Sequence, residues 1–232
     1  MRKALLAFVL ASFALSPLLA LGGGGMMLGA RTAAWAKAGA PLPYDAEVEW
    51  LQGDGRSYIR TGVYAEIGDV ITVSASPIDA NGSSQYSVYG CGLGDTSALQ
   101  SRNYLNGFDL NIRNRRVSMP VDDVSKFYTY SCELIDDGLV ANFWGTEKTL
   151  YNPGLLDHYE LFLFAVNWNE AAYRVSKIKI SSLSVKRNGF NVVDFIPVRG
   201  FDNTGYMYDS VSGKLFGNDG TGAFVIGPDK TV

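Results

Sequence analysis

The sequence predicts an all-β protein, and three observations carry that reading. Apolar and polar residues alternate with a period of two through most of the chain beyond Tyr44. The alternating runs are cut at close spacing by Gly, Asp, Asn and Pro, the residues that tight turns require. No stretch outside the N-terminal apolar region sustains a 3.6-residue period, so helices should be nearly absent. Strands recurring at this spacing build a sandwich or a barrel.

The N-terminus reads as an export signal over residues 1–36. Arg2 and Lys3 precede an apolar stretch from Ala4 to Leu15, and no further charge occurs before Arg31. Small-residue cleavage patterns occur at Ala34-Trp35-Ala36 and at Ala36-Lys37-Ala38, and cleavage after Ala36 is favoured because Pro41 disfavours cutting after Ala40. An uncleaved anchor is the alternative, since Ala4 to Ala30 is long enough to span a hydrocarbon core of roughly 30 Å. Ser16, Pro17 and the glycines Gly22 to Gly25 would make that a poor spanning helix. The expected location is therefore extracellular or periplasmic, with no membrane association beyond the signal. Residues 37–43 form a short proline-rich linker, and 44–232 has the length of one sandwich domain.

Loss of residues 1–36 would remove three of the 20 Lys and Arg residues and none of the 23 Asp and Glu, leaving a net charge of −6. That balance excludes nucleic acid as the expected partner, because phosphate binding rests on Lys and Arg. The basic cluster Arg113, Arg115 and Arg116 reads as a solvated turn, with Asp122, Asp123, Asp136 and Asp137 close behind it.

Strands are predicted in order over 46–51, 57–61, 69–76, 85–91 and 108–112. Runs 127–134 and 139–144 flank Asp136-Asp137-Gly138, a hairpin signal. Residues 155–159 form a helical turn or a loop. The continuously apolar Leu161-Phe162-Leu163-Phe164-Ala165-Val166 predicts one central strand covered on both faces. Alternation returns over 175–185 with one slip that marks a bulge, and Gly189 turns the chain into 190–198. Beyond that, Ser212-Gly213, Asp219-Gly220 and Thr221-Gly222 punctuate short apolar runs, the pattern of consecutive small hairpins.

Both cysteines, Cys91 and Cys132, fall inside predicted strands. In an exported protein they form either one disulfide or two buried thiols, and spacing does not separate these alternatives.

The closing segment resembles a family of secreted bacterial laminin-G-like, concanavalin-A-like jelly rolls. The similar residues are Phe195-Ile196-Pro197-Val198, then Gly205 to Asp209 with Ser212-Gly213-Lys214, then Gly222-Ala223-Phe224. Val48-Glu49-Trp50-Leu51-Gln52 and Ser57 to Gly62 are similar to the family's opening hairpin, and Leu161 to Val185 is similar to its Leu-Phe-Leu-Phe and Lys-Ile-x-Ser strands. The resemblance implies a two-sheet antiparallel jelly-roll sandwich. It implies no particular activity, since many members have none assigned.

No catalytic constellation is legible. His158 is the one histidine, no Gly-x-Ser-x-Gly elbow occurs, and a lone histidine beside a turn reads as a surface residue. Glycosidases of related fold carry paired glutamates with a further acid on one strand face; Glu133-Leu134-Ile135-Asp136 has the wrong spacing, and Glu47 and Glu49 share a face but lack the third acid. No metal and no cofactor are expected. The loops Gly94-Asp95-Thr96-Ser97 and Asp202-Asn203-Thr204 hold oxygens of the kind Ca²⁺ takes, and serve equally as turn formers.

Sugar recognition pairs an aromatic face with amide or carboxylate groups. Asn167, Trp168, Asn169 and Tyr173 form the best local match, with Trp168 leaving an apolar strand directly into a polar loop. The opposing reading folds Trp168 back as a lid over the sandwich end. Of the neighbours Phe143 and Trp144, alternation buries one. The expectation is a non-catalytic recognition module for a glycan or another cell-surface ligand, on the concave face or rim loops, with weak binding nearly independent of salt. A structural or adhesive envelope subunit is the alternative, and an endoglycanase a more distant one; oligomeric state is open.

Overall fold

Burial alternates along the strands as the sequence demands. In Asp69–Ser76, Ile71, Val73 and Ala75 are buried while Val70, Thr72 and Ser74 stay partly exposed. A computed structural model describes residues 41–77, 86–93, 99–103, 107–152 and 158–231. The signal at 1–36, most of the linker, the loop Gly94 to Ser97 and most of the turn at 155–159 lie outside the described residues.

The strands run in order β1 (Ala46–Glu47), β2 (Leu51–Gln52), β3 (Ile59–Tyr64), β4 (Asp69–Ser76) and β5 (Tyr86–Gly92). Then come β6 (Leu99–Asn103), β7 (Gly107–Ile112), β8 (Arg115–Pro120), β9 (Tyr128–Ile135) and β10 (Gly138–Phe143). These are followed by β11 (Thr146–Tyr151), β12 (Glu160–Leu163), β13 (Val166–Trp168), β14 (Ala171–Tyr173) and β15 (Lys179–Arg187). The chain closes with β16 (Phe190–Arg199), β17 (Gly205–Asp209), β18 (Lys214–Phe216) and β19 (Val225–Ile226).

Two sheets result. The larger has the order β11-β10-β9-β4-β15-β16-β17-β18, with β1 beside β16 and β2 linking β15 to β19. The smaller has the order β14-β13-β5-β6-β7-β8, with β12 joining β5 to β3. All pairings are antiparallel except β13 with β5, which is parallel. Ile71, Val73, Leu134, Leu139, Leu183 and Phe195 of the larger sheet share one buried core with Ile59, Tyr89, Leu99, Phe108, Leu110 and Leu163 of the smaller. The fold is the expected two-sheet antiparallel sandwich. Each large aliphatic or aromatic side chain buried there contributes about 1.5–3 kcal/mol.

Two tyrosines in this core carry hydroxyls that need partners, and each finds one on the opposite sheet. Tyr130 on β9 meets Ser101 on β6 at 2.6 Å, and Tyr89 on β5 meets the Cys132 sulfur on β9 at 3.3 Å. Burial raises the hydroxyl pKa of both tyrosines well above the ordinary value. Neutral hydroxyls therefore tie the two layers together at two points.

The cysteine alternatives resolve as two buried thiols, with no disulfide between Cys91 and Cys132. They stand on strands of different sheets, and burial pushes the Cys132 thiol up to about 11.

The predicted single strand over 161–166 is in fact two. Phe164 adopts a left-handed φ of 66° and breaks the run between β12 and β13. Its ring packs on Phe224 at 4.8 Å, and this seat turns the chain so that β13 emerges parallel to β5. The residues are fully buried, as predicted, but backbone conformation divides them. The predicted bulge in 175–185 is present as a register shift between Ile180 and Ser182, with a second between Val185 and Lys186.

Residues 47–49, at the end of and just beyond β1, lie beside residues 228–230, just beyond β19. Val48 bridges Asp229, the Glu49 amide donates to the Pro228 carbonyl at 2.9 Å, and the Lys230 amide donates to the Glu47 carbonyl at 2.9 Å. Arg199 reaches both Asp45 at 2.7 Å and Asp229 at 3.0 Å.

Two predictions follow from the interior. Ser101→Ala leaves the Tyr130 hydroxyl buried without a partner and should cost about 1–3 kcal/mol in urea denaturation, whereas Ser101→Ala combined with Tyr130→Phe should recover much of that loss. Both thiols should resist Ellman's reagent in the folded protein at pH 8 and react fully once the chain is unfolded without reductant; a disulfide would keep them silent in both states.

Candidate functional site

The outer face of the smaller sheet, turned away from the core, is unusually polar for its burial. On β7, Phe108, Leu110 and Ile112 point inward, which sends Asp109 and Asn111 outward, yet Asp109 is 1% exposed. Register then builds two rows across the strands. One joins Ser87, Arg102, Asp109 and Ser118; the other joins Gly90, Gln100, Asn111 and Arg116.

These side chains are bonded to one another. Ser118 donates to Asp109 Oδ1 at 2.7 Å, while Arg102 and Arg116 approach Asp109 Oδ2 at 3.4 and 3.7 Å. Gln100 donates to the Ser87 hydroxyl at 2.6 Å and accepts from Arg174 at 3.0 Å. Burial lowers the Arg102 guanidinium from its ordinary value; Asp109 opposes this, and the charges of Arg174 and Arg116 add to it. Two guanidinium groups thus gather around one carboxylate, and a third, Arg174, adds its charge beside Arg102.

The β13–β14 hairpin stands at one end of this floor. Asn169 and Glu170 have φ of 52° and 68°, the two left-handed residues of a tight two-residue turn. Trp168 pairs in register with Gly92, and Val166 covers Gly90, so both side chains lie on the outer face. Trp168 and Tyr173 meet edge to face at 4.5 Å. Tyr173 is 48% exposed and stacks under Arg174 at 5.4 Å, which links the aromatic pair to the polar floor.

Of the four residues singled out from sequence, three lie where a ligand can reach and one does not. Trp168 is half-buried and Asn169 is exposed, its amide oxygen accepting from the Tyr159 hydroxyl at 3.2 Å. Asn167 is fully buried: it donates to the Glu160 carbonyl at 2.9 Å and accepts from the Glu170 amide at 2.8 Å. Its job is to hold the hairpin. Gln100, Arg102, Asp109 and Asn111 escaped sequence reading because they come from different strands, although the alternation in Phe108 to Ile112 already sent Asp109 and Asn111 outward. Arg116, read as part of a solvated turn, contributes to this face from β8.

The other candidates stay apart. His158 is exposed and stacks on Tyr64 at 4.8 Å. Glu47 bonds Tyr44 and lies 3.5 Å from Lys230. It pairs with Val198, whereas Glu133 aligns through Val70 and Lys186 with Asn191, so the two are offset along β16 by roughly 23 Å at about 3.3 Å per residue. Asp202 uses both oxygens locally, accepting from the Thr204 amide at 3.0 Å and the Tyr206 hydroxyl at 2.8 Å, which is turn-forming work. Among the described residues no group of three or more His, Cys, Asp or Glu is arranged to hold a metal ion, and no helix is long and apolar enough to cross a membrane.

Asn167→Ala should cost about 1–3 kcal/mol in chemical denaturation, because the Glu170 amide and the Glu160 carbonyl lose their partner. Tyr173→Ala, at an exposed ring, should leave the denaturation midpoint within about 0.5 kcal/mol of the parent.

No family model and no curated protein sequence matches the chain. Among solved structures it is similar to domains LG4-5 of the mouse laminin alpha1 chain, at 14% identity and a TM-score of 0.47, over 66% of this chain and 45% of that one. It is also similar to a mutant of the NanB sialidase from Streptococcus pneumoniae, at 11% identity and a TM-score of 0.42, over 79% of this chain and 39% of that one. The chain therefore spans less than half the length of these two structures.

Proposed function

We propose that this protein is a non-catalytic, exported recognition module that binds an acidic glycan on the outer face of the smaller sheet. One observation carries the reading: a bonded floor of Gln100, Arg102, Asp109 and Asn111 lies beside the half-buried Trp168 and the exposed Tyr173. An aromatic pair takes the apolar face of a pyranose ring, and amide and guanidinium groups take its edge. Arg102, Arg116 and Arg174 add the charge that recognises a carboxylate or sulfate on the sugar. This revises the expectation of salt-independent binding, because guanidinium contacts at a partly open surface weaken as salt screens them.

The carboxylates on this face support binding over hydrolysis. Asp109 is held by Ser118 and two arginines. Glu160 accepts from Arg60 at 2.6 and 2.8 Å and from the Gly62 amide at 2.8 Å. Both are committed to structure, whereas glycoside hydrolysis needs two facing carboxyl groups that are free to exchange protons. An adhesive role through a greasy patch is less supported, since the most exposed large apolar residues, Phe190 and Phe201, sit at opposite ends of β16, roughly 30 Å apart.

A glycan array containing uronic-acid, sulfated and neutral oligosaccharides tests the reading. Binding should favour the acidic glycans, fall at least tenfold in Arg174→Ala or Trp168→Ala, and weaken between 50 and about 300 mM salt. Binding of acidic glycans that neither variant alters would remove the site assignment.

A further inference from the structure

The larger sheet also has an outer face, and its character is opposite. Register lines up Ser184, Thr72, Ser131, Asn142 and Glu147 across five strands, with Ser74 and Thr129 in the next row. At the β9–β10 end lies a depression of about 210 Å³ lined by Thr72, Thr129, Ser131, Asn142, Trp144 and Thr146. None of these six carries a charge. Among the described residues, no side-chain hydrogen bond engages Thr72, Thr129, Ser131 or Asn142, so their donors and acceptors face solvent.

Trp144 forms one wall, and its backbone is strained. It holds a φ of 47° beside Gly145 at 78°, the two left-handed positions of the turn joining β10 to β11. Asn-Gly is the favoured pair there, and a bulky side chain in this conformation is an outlier. The ring is nonetheless 42% exposed. Edge-to-face contacts to Tyr128 and Phe143, both at 5.3 Å, fix its orientation. Tyr128 is fixed in turn, donating to Asp122 and accepting from the Asp123 amide at 3.1 Å. A rigid, exposed indole held at a conformational cost beside unengaged hydroxyls has the make-up of a binding platform.

We infer that this depression is a second glycan subsite, for an uncharged pyranoside chain. Trp144 stacks on the C–H face of one ring, while Thr72, Ser131 and Asn142 hydrogen-bond its hydroxyls. The volume falls below the roughly 300 Å³ of pockets that enclose a ligand, so one ring of a longer chain sits in it and the neighbouring rings run out along the hydroxyl-bearing face.

Titration of the ¹⁵N-labelled protein with cellohexaose, xylohexaose and chitohexaose, followed by NMR, tests this. At least one should shift the Trp144 indole resonance, with an affinity unchanged by salt and by Arg174→Ala. Trp144→Asn supplies the favoured turn residue, so it should keep the fold and a midpoint no lower than the parent while losing at least tenfold in affinity. If none of the three oligosaccharides moves the Trp144 resonance, or if folded Trp144→Asn binds as well as the parent, the inference fails. Because the arginine-bearing face is tested by acidic glycans and by salt, either site can fail alone.

Discussion

The alignment of the two sheets rests on two buried hydroxyls that reach in opposite directions. Tyr130 leans from the larger sheet onto Ser101, and Tyr89 leans from the smaller sheet onto Cys132. Apolar contacts across a sandwich are forgiving of small slides, because a leucine accepts several neighbours. A buried hydroxyl is not, since a shift of an ångström leaves it without a partner at a cost of about 1–3 kcal/mol. The pair therefore selects one relative placement of the sheets from many that would bury similar apolar area. The strand period does the rest: with the inward set fixed, Asp109, Asn111, Gln100 and Arg102 must face outward on one side, and Thr72, Ser131 and Asn142 on the other.

The two outer faces illustrate how one architecture presents different chemistry. On the smaller sheet, long guanidinium side chains fold over shorter polar ones and bury them, which explains a nearly inaccessible Asp109 on a face outside the core. In the row through Ser184, Thr72, Ser131 and Asn142 of the larger sheet the side chains are short, and none of the last three is engaged by a side-chain hydrogen bond among the described residues. Charge sits on the first face and is missing from the depression on the second, and an aromatic pair or a lone indole stands at the margin of each.

Much of the architecture was legible in the residues. The strand at Asp69–Ser76, the hairpin at Asp136-Asp137-Gly138 and the hairpin at Ser212-Gly213 occur as the pattern and turn chemistry predict, whereas Asp219-Gly220 and Thr221-Gly222 lie in a loop that carries the chain to β19, which pairs with β2 rather than β18. Strands β6 and β8 did not stand out because their outward positions carry Gln100, Arg102, Arg116 and Ser118, which erase the local apolar signal. The break at Phe164 was hidden because nothing in an apolar run announces a left-handed residue; the cause is tertiary, a ring seated against Phe224. The same distinction governs the candidate site. Trp168 and Tyr173 could be grouped from sequence because they are close along the chain, whereas the polar floor is assembled from several strands that register alone brings together. Asn167 is buried and knits the hairpin turn, and composition cannot tell such an amide from one that meets a ligand.

The pairing of residues 47–49 with residues 228–230 places the entry and exit of the described chain at one end of the same antiparallel ribbon. Tension applied between those points would not load the ribbon's hydrogen bonds together, as it would if the ends left in opposite directions. It would open them one after another, beginning beside Lys230 and Glu47. A domain tethered by both ends would thus peel at low force, and one tethered by a single end would feel no such weakness.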